Sequence, residues 1–126
     1  MTQKNCVDVV RRLAGEIAEV SQWPVQQERI EGWKRTNSLA PNRPMVWITE
    51  IPWGEFENDI EDLRPVCDDP QYRAIEQRFR HTLFTARHLP CDEVVDGVFR
   101  VPLKIEGMEY GVPVSEEQVT QGQSYI

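Results

Sequence analysis

Two tryptophans and two carboxylates crowd one short stretch of this chain, Asn42–Glu57, read N-R-P-M-V-W-I-T-E-I-P-W-G-E-F-E. Trp47 and Trp53 offer flat apolar faces on which a ligand could stack. Glu50 and Glu55 lie five residues apart beside them, where a carboxylate could act as acid or base. Each has a plainer reading. Two tryptophans next to an apolar run ordinarily pack into a core, and a glutamate at an element end is ordinarily a solvated rim residue.

A second grouping is Cys67, His88 and Cys91, with His81 two helical turns before His88. Thiolate and imidazole are zinc ligands, but the paired spacings that mark zinc sites, such as C-x-x-C, are absent. His88 suits the C-terminal end of a helix, where a positive charge complements the dipole. A Cys–His nucleophilic pair would need a third orienting group, and none can be named. No metal site and no catalytic residue is assigned on these patterns. The acidic run Glu55, Glu57, Asp59, Glu61 and Asp62 lacks the register of a calcium loop and reads as a solvated acidic loop. Arg73, Arg78, Arg80 and Arg87 read as a helix face that pairs with it.

The elements that must position these residues follow from periodicity. Val7, Val10, Leu13, Ile17 and Val20 recur at helical spacing, so an amphipathic helix is expected from about Cys6 to Ser21, with Asn5 as its cap. Pro24 suits the first turn of a second helix reaching about Thr36, with Ser21 the nearest cap. Ile30 and Trp33 form its thin apolar face, and Gln26, Gln27, Glu31 and Lys34 are expected mostly outside. Asn37–Pro44 is a loop, with two prolines and two asparagines. Met45–Ile51, apolar and bounded by Pro44 and Pro52, reads as one buried strand. Asp69 and Pro70 begin a third helix that runs to about His88, striped by Tyr72, Ile75, Phe79, Leu83 and Ala86. Glu93–Val101 reads as a bent strand with a bulge at Gly97. Phe99–Ile105 and Met108–Val114 read as a hairpin about Glu106-Gly107. The order α-α-β-α-β-β implies an α+β fold, a small mixed sheet with about three helices against it.

The whole of 1–126 is expected to form one domain, long enough to bury a core without disulfides. A net charge of −7 argues against nucleic-acid and anionic-membrane partners, since phosphate affinity comes from Lys and Arg. No run approaches about 18 consecutive apolar residues. Three cysteines at irregular spacing, with no signal-peptide pattern at Met1–Asp8, read as free thiols in a cytoplasmic protein.

The pattern N-x-L-x-P-x-R-P-M-V-W-I-x-E-I-x-W, Asn37 to Trp53, resembles the N-terminal region of uroporphyrinogen decarboxylase-like proteins. The likeness continues through C-D-D-P (Cys67–Pro70), E-Q-R-F-R-H-T-L-F (Glu76–Phe84), V-F-R-V-P (Val98–Pro102) and G-V-P-V-S-E-E (Gly111–Glu117). The family comprises decarboxylases and corrinoid-linked methyltransferases built on a TIM barrel, which needs roughly 250 residues. The arginine-rich substrate motif of the decarboxylases and the Cys/His zinc site of the methyltransferases have no counterpart here. The resemblance therefore implies an accessory N-terminal segment without catalysis or a cofactor of its own, although the parent family uses a corrinoid partner or zinc. Its partner would be a C-terminal barrel domain or a second copy of the chain. Trp53 and Glu55 are the residues it would bring nearest to a substrate entrance. An independent module that binds a small ligand or peptide through Trp47, Trp53 and the nearby acids is the alternative.

Overall fold

Leu13 and Val20 face Phe79 and Leu83 across the middle of the molecule, and Val95 closes the cluster. The computed structural model describes residues 3–101. Within them lie α1 (Gln3–Ser21), α2 (Pro24–Asn37), α3 (Trp53–Asp59), a 3₁₀ turn at Glu61–Leu63 and α4 (Pro70–His88). The core is the seam between α1 and α4, because those two helices carry the wide apolar stripes. Val9, Val10, Ile17, Ile75 and Ala86 extend it on either side. No helix among the described residues is long and apolar enough to cross a membrane.

The termini of α4 follow from its sequence. Asp69 stands at the N-cap in extended conformation, and its carboxylate accepts from the Gln71 and Tyr72 N–H groups, with Pro70 next. Arg87 and His88 occupy the last turn, where positive charge is favourable. The start of α1 differs from expectation: the helix already runs at Gln3, so Asn5 lies inside it and caps nothing. For α2 the N-cap position is Trp23, with no side-chain cap bond, and Ser21 instead donates to the Ala18 carbonyl.

The expected mixed sheet is absent: among the described residues there is no strand, and the architecture is helical. The segment 44–52 is extended but pairs with no strand. Its inward residues are Met45, Ile48 and Ile51, every third position, while Val46 and Trp47 are exposed. A half-buried strand would alternate with period two, whereas period three is that of a polyproline II chain. Pro44 and Pro52 at its ends favour that conformation, and the β-branched composition that suggested a strand cannot supply a neighbouring one.

Glu93–Val101 is likewise irregular rather than a bent strand. Gly97 does adopt the left-handed φ of +68° expected of a bulge, but within a turn. The expected hairpin of Phe99–Ile105 and Met108–Val114 lies almost wholly outside the described residues. Part of the acidic run, read as a loop, is helical. Trp53, Phe56 and Ile60 recur at helical spacing and α3 lays Trp53 and Phe56 on Phe84 of α4.

Candidate functional site: an extended edge and its groove

Asp92 fixes one end of the extended segment. Its backbone N–H donates to the Val46 carbonyl at 2.8 Å, and its carboxylate accepts from the Val46 N–H at 2.8 Å. The Arg43 guanidinium grips the same carboxylate with two bonds, at 2.7 and 2.9 Å. This paired geometry is among the strongest available to a carboxylate. The Arg43 bonds, with help from the Val46 N–H, outweigh burial and hold the Asp92 pKa down at about 2. The Asp92 carbonyl accepts from the Trp33 indole at 2.8 Å, so α2 is tied into the same knot.

At the other end the chain enters α3 through Pro52, whose carbonyl accepts from the Glu55 and Phe56 N–H groups. The Trp53 indole lies flat on the His81 imidazole, 3.9 Å between centroids and 4° from parallel. His81 Nε2 is 2.8 Å from Glu57 Oε1. The carboxylate fixes the ring orientation, as carboxylates do for catalytic imidazoles, but no Ser, Thr or Cys is hydrogen-bonded to His81 among the described residues. The dyad orients the imidazole and closes the aromatic cluster of Trp53, Phe56 and Phe84. It shows no nucleophile to activate.

Between these two anchors, the backbone groups of Trp47, Ile48, Thr49 and Glu50 form no hydrogen bond with any described residue. Trp47 is 65% exposed, touching only the edge of Trp33 at 5.9 Å among the described aromatic rings. Beside this run lies an open groove of about 600 Å³. Trp47, Ile48 and Trp53 line one side, Gln77, Arg78 and His81 of α4 the other, and Glu93 is also in its wall. Burial raises the Glu93 pKa, and attraction to Arg29 only partly offsets that. Its carboxylate makes no hydrogen bond or ion pair among the described residues.

Trp47 and Trp53, singled out from sequence, are thus brought to one groove, and neither belongs to the core. Glu50, within the run, and Glu55, in the first turn of α3, are exposed and solvated. Cys67, His88 and Cys91 are not assembled into a site. Cys67 precedes α4 and His88 ends it, nineteen helical residues or about 28 Å along the axis. No cluster of three candidate metal ligands occurs among the described residues. Cys67 is fully buried, and burial, together with Cys6 and Glu76 beside it, pushes its thiol up to about 12, far from the thiolate a metal requires.

The residues that fix the segment 92–95 against α2 carry little signal in the sequence. Asp92 follows a cysteine and a proline and carries no recognisable motif. Glu93 was counted only as the first residue of a strand. Gln26, Arg29 and Trp33 share one face of α2; Trp33 was expected on the apolar face, whereas Gln26, expected mostly outside, is buried. No family model, no curated protein and no solved structure matches the chain.

Proposed function

We propose that this chain is a non-catalytic accessory unit that docks, through the extended run Val46–Ile51, on a larger partner. The partner we favour is a barrel domain of the uroporphyrinogen decarboxylase-like kind, which the pattern Asn37–Trp53 resembles. One observation carries the reading: four consecutive residues of extended backbone are unpaired within the described chain, carry a 65% exposed tryptophan, and are pinned at both ends. Exposed apolar surface with unpaired backbone is costly in a protein that stays alone and is commonly covered in an assembly. Val98, Phe99 and Val101 are exposed as well and add apolar surface.

Sedimentation of the purified chain with a purified barrel protein of that family from the same genome tests the reading. A common boundary is expected, lost in Trp47→Asp while the helical circular dichroism is kept. A chain that sediments apart from the barrel overturns the barrel as partner.

A second reading has its own observation, the Trp53–His81 stack held by Glu57 in the wall of a 600 Å³ groove. Here the groove takes a small flat ligand. A melting temperature raised by tetrapyrroles or corrinoids in wild type, and unchanged in Trp53→Leu, supports it, since a ligand that binds only the folded state stabilises it.

A further inference from the structure

Arg78, His81, Thr82 and Thr85 line the groove from α4 at helical spacing, so one polar stripe of that helix forms its wall. Two of the four are engaged. His81 is held by Trp53 and Glu57, and Thr82 donates to the Arg78 carbonyl at 2.9 Å. Thr85 is not. It is only 4% exposed, and its hydroxyl makes no hydrogen bond among the described residues. Arg29 Nε is the side-chain polar atom there that is both unpartnered and sealed from solvent, so the Thr85 hydroxyl opens onto the groove. A buried hydroxyl without a protein partner is a standing donor and acceptor for whatever fills the cleft.

Charge narrows the occupant further. Three lining residues can carry charge, and two of them face an opposite group: Glu93 faces Arg29, and His81 faces Glu57. Arg78 pairs with no carboxylate among the described residues. Its guanidinium lies 5.0 Å from the Phe99 ring centroid, and its Nη1 reaches the Arg100 carbonyl at 3.5 Å, the far limit of a hydrogen bond. Most of its N–H donors are therefore open to an anion, and a planar carboxylate matches a guanidinium best. The opposite wall is apolar, with Trp47, Ile48, Ile51 and Trp53. A cleft with one apolar wall and a few placed polar groups is the usual form of a small-molecule site.

We propose that the groove binds a flat aromatic carboxylate, with its carboxylate on Arg78, its ring against the tryptophan wall, and a polar group at its far end on the Thr85 hydroxyl. This rests on the small-ligand reading above and specifies the class of ligand. Arg78 and Thr85 are separated by about 10 Å along the helix axis, so a fused two-ring acid spans them better than a single ring. The net charge of −7 opposes any anion at long range, so a preference for the acid over its neutral amide reports the local pair alone.

The probe is 6-hydroxy-2-naphthoate, which carries its carboxylate and hydroxyl at opposite ends and whose own fluorescence reports binding. It is compared with 6-hydroxy-2-naphthamide and with 2-naphthoate, which lacks the hydroxyl. The hydroxy acid should bind about tenfold more tightly than the amide and severalfold more tightly than 2-naphthoate. Arg78→Gln should erase the first preference and keep the second. Thr85→Val, of nearly the same shape, should erase the second and keep the first. Thr85→Val should also leave the melting temperature of the free chain equal or higher, since it removes a hydroxyl that has no partner. A role of Thr85 in the fold alone would lower that temperature instead and leave both preferences intact, which overturns its assignment. Equal binding of acid and amide, an acid preference that survives Arg78→Gln, or no binding at millimolar probe each overturns the proposal. Acid and amide bound equally, and both lost in Trp53→Leu, would remove the carboxylate and leave the small-ligand reading standing. That reading falls separately, if Trp53→Leu changes the binding of none of the three probes and tetrapyrroles and corrinoids leave the wild-type melting temperature unchanged.

Discussion

Gln26 of α2 holds the backbone of Val95 from the interior: its Oε1 accepts from the Val95 N–H at 3.0 Å, and its Nε2 donates toward the Val20 carbonyl at 3.4 Å. The side chain is only 3% exposed. Three positions further, Arg29 donates to the Glu93 carbonyl at 3.0 Å, and four beyond that, Trp33 donates to the Asp92 carbonyl. One helix face thus reads the backbone of 92–95 in reverse order, which does for this segment what a neighbouring strand would otherwise do. Gln26→Ala leaves the buried Val95 N–H without a partner and should cost about 2 kcal/mol. A melting temperature lower by roughly 5–10 °C is expected, and an unchanged one would show that water replaces the amide.

That relationship also explains what the sequence could and could not disclose. The α4 helix was legible because cap, proline, stripe and basic end all point the same way at Asp69, Pro70, Phe79 and His88. The core partners Leu13, Val20, Phe79 and Leu83 were legible for the same reason. The sheet was misread because Met45–Ile51 and Glu93–Val101 have the composition of strands while their backbone is satisfied or left free by other means. Val46 bonds to an aspartate, and Val95 to a glutamine. Side chains that substitute for a strand carry no periodic signal, since a polar residue on a helix face resembles a solvated one until its partner is known. The groove depended on both misread segments, so Trp47 and Trp53 could be named but Glu93 could not.

Asp92 and Arg43 make the extended segment sensitive to acid. A carboxylate held at about 2 when folded, below the usual 3.9 of an unfolded chain, stabilises the fold fully at neutral pH. That contribution is lost as pH falls from about 4 through 2. The full shift corresponds to roughly 2.5 kcal/mol. Because the Arg43 side chain is 58% exposed, solvent screening reduces the net value to about 1–2 kcal/mol. Asp92→Asn should lower stability at pH 7 by that amount and flatten the acid limb of a pH–stability curve between pH 4 and 2. An unchanged acid limb would locate the sensitivity in other carboxylates.

Glu76 is completely buried and has no alternative to its partners. Its carboxylate accepts from the Val66 and Cys67 N–H groups at 2.9–3.1 Å and from Arg80 Nε at 2.9 Å. Burial raises its pKa, but these donors together outweigh it and the net shift is downward. Glu76→Ala orphans two N–H groups and a guanidinium that is itself largely buried, and should cost about 3–5 kcal/mol in urea unfolding. Removing the cation as well, in Glu76→Ala with Arg80→Met, should be less damaging than the sum of the two single changes. Strict additivity would mean that the pair is not coupled.

The three cysteines should be silent in the native protein. All are buried, and the Cys67 thiol is pushed up to about 12 by burial and by the neighbouring Cys6 and Glu76. Alkylation needs the thiolate and access to it. Iodoacetamide at pH 8 should label the native chain only at the rate of its opening, and all three thiols at once in denaturant. Rapid labelling of one thiol would identify a region that opens locally.

Gly97 turns the chain away from the core with φ +68°, and a Cβ built there would lie 2.9 Å from Ser21 Oγ and 3.2 Å from its Cβ. Two costs therefore add in Gly97→Ala. The left-handed backbone penalises a β-carbon by about 1–2 kcal/mol, and the contact with Ser21 forces that residue to move. Ser21 is committed, since its hydroxyl donates to the Ala18 carbonyl at 2.7 Å in the last turn of α1. Trimming it in Ser21→Ala removes the nearer of the two atoms but leaves the Cβ. Gly97→Ala should therefore destabilise by about 2 kcal/mol or more, and Ser21→Ala should recover part of that loss but not all. Gly32 supplies the contrast. A Cβ there meets only the flexible end of Met45, 2.7 Å from its Cε, and the backbone has an ordinary negative φ. Met45 can swing aside, and alanine is the better helix former by about 1 kcal/mol, so Gly32→Ala should be close to neutral. Equal losses at Gly97 and Gly32 in thermal melts would exclude backbone handedness as the cause and leave crowding alone.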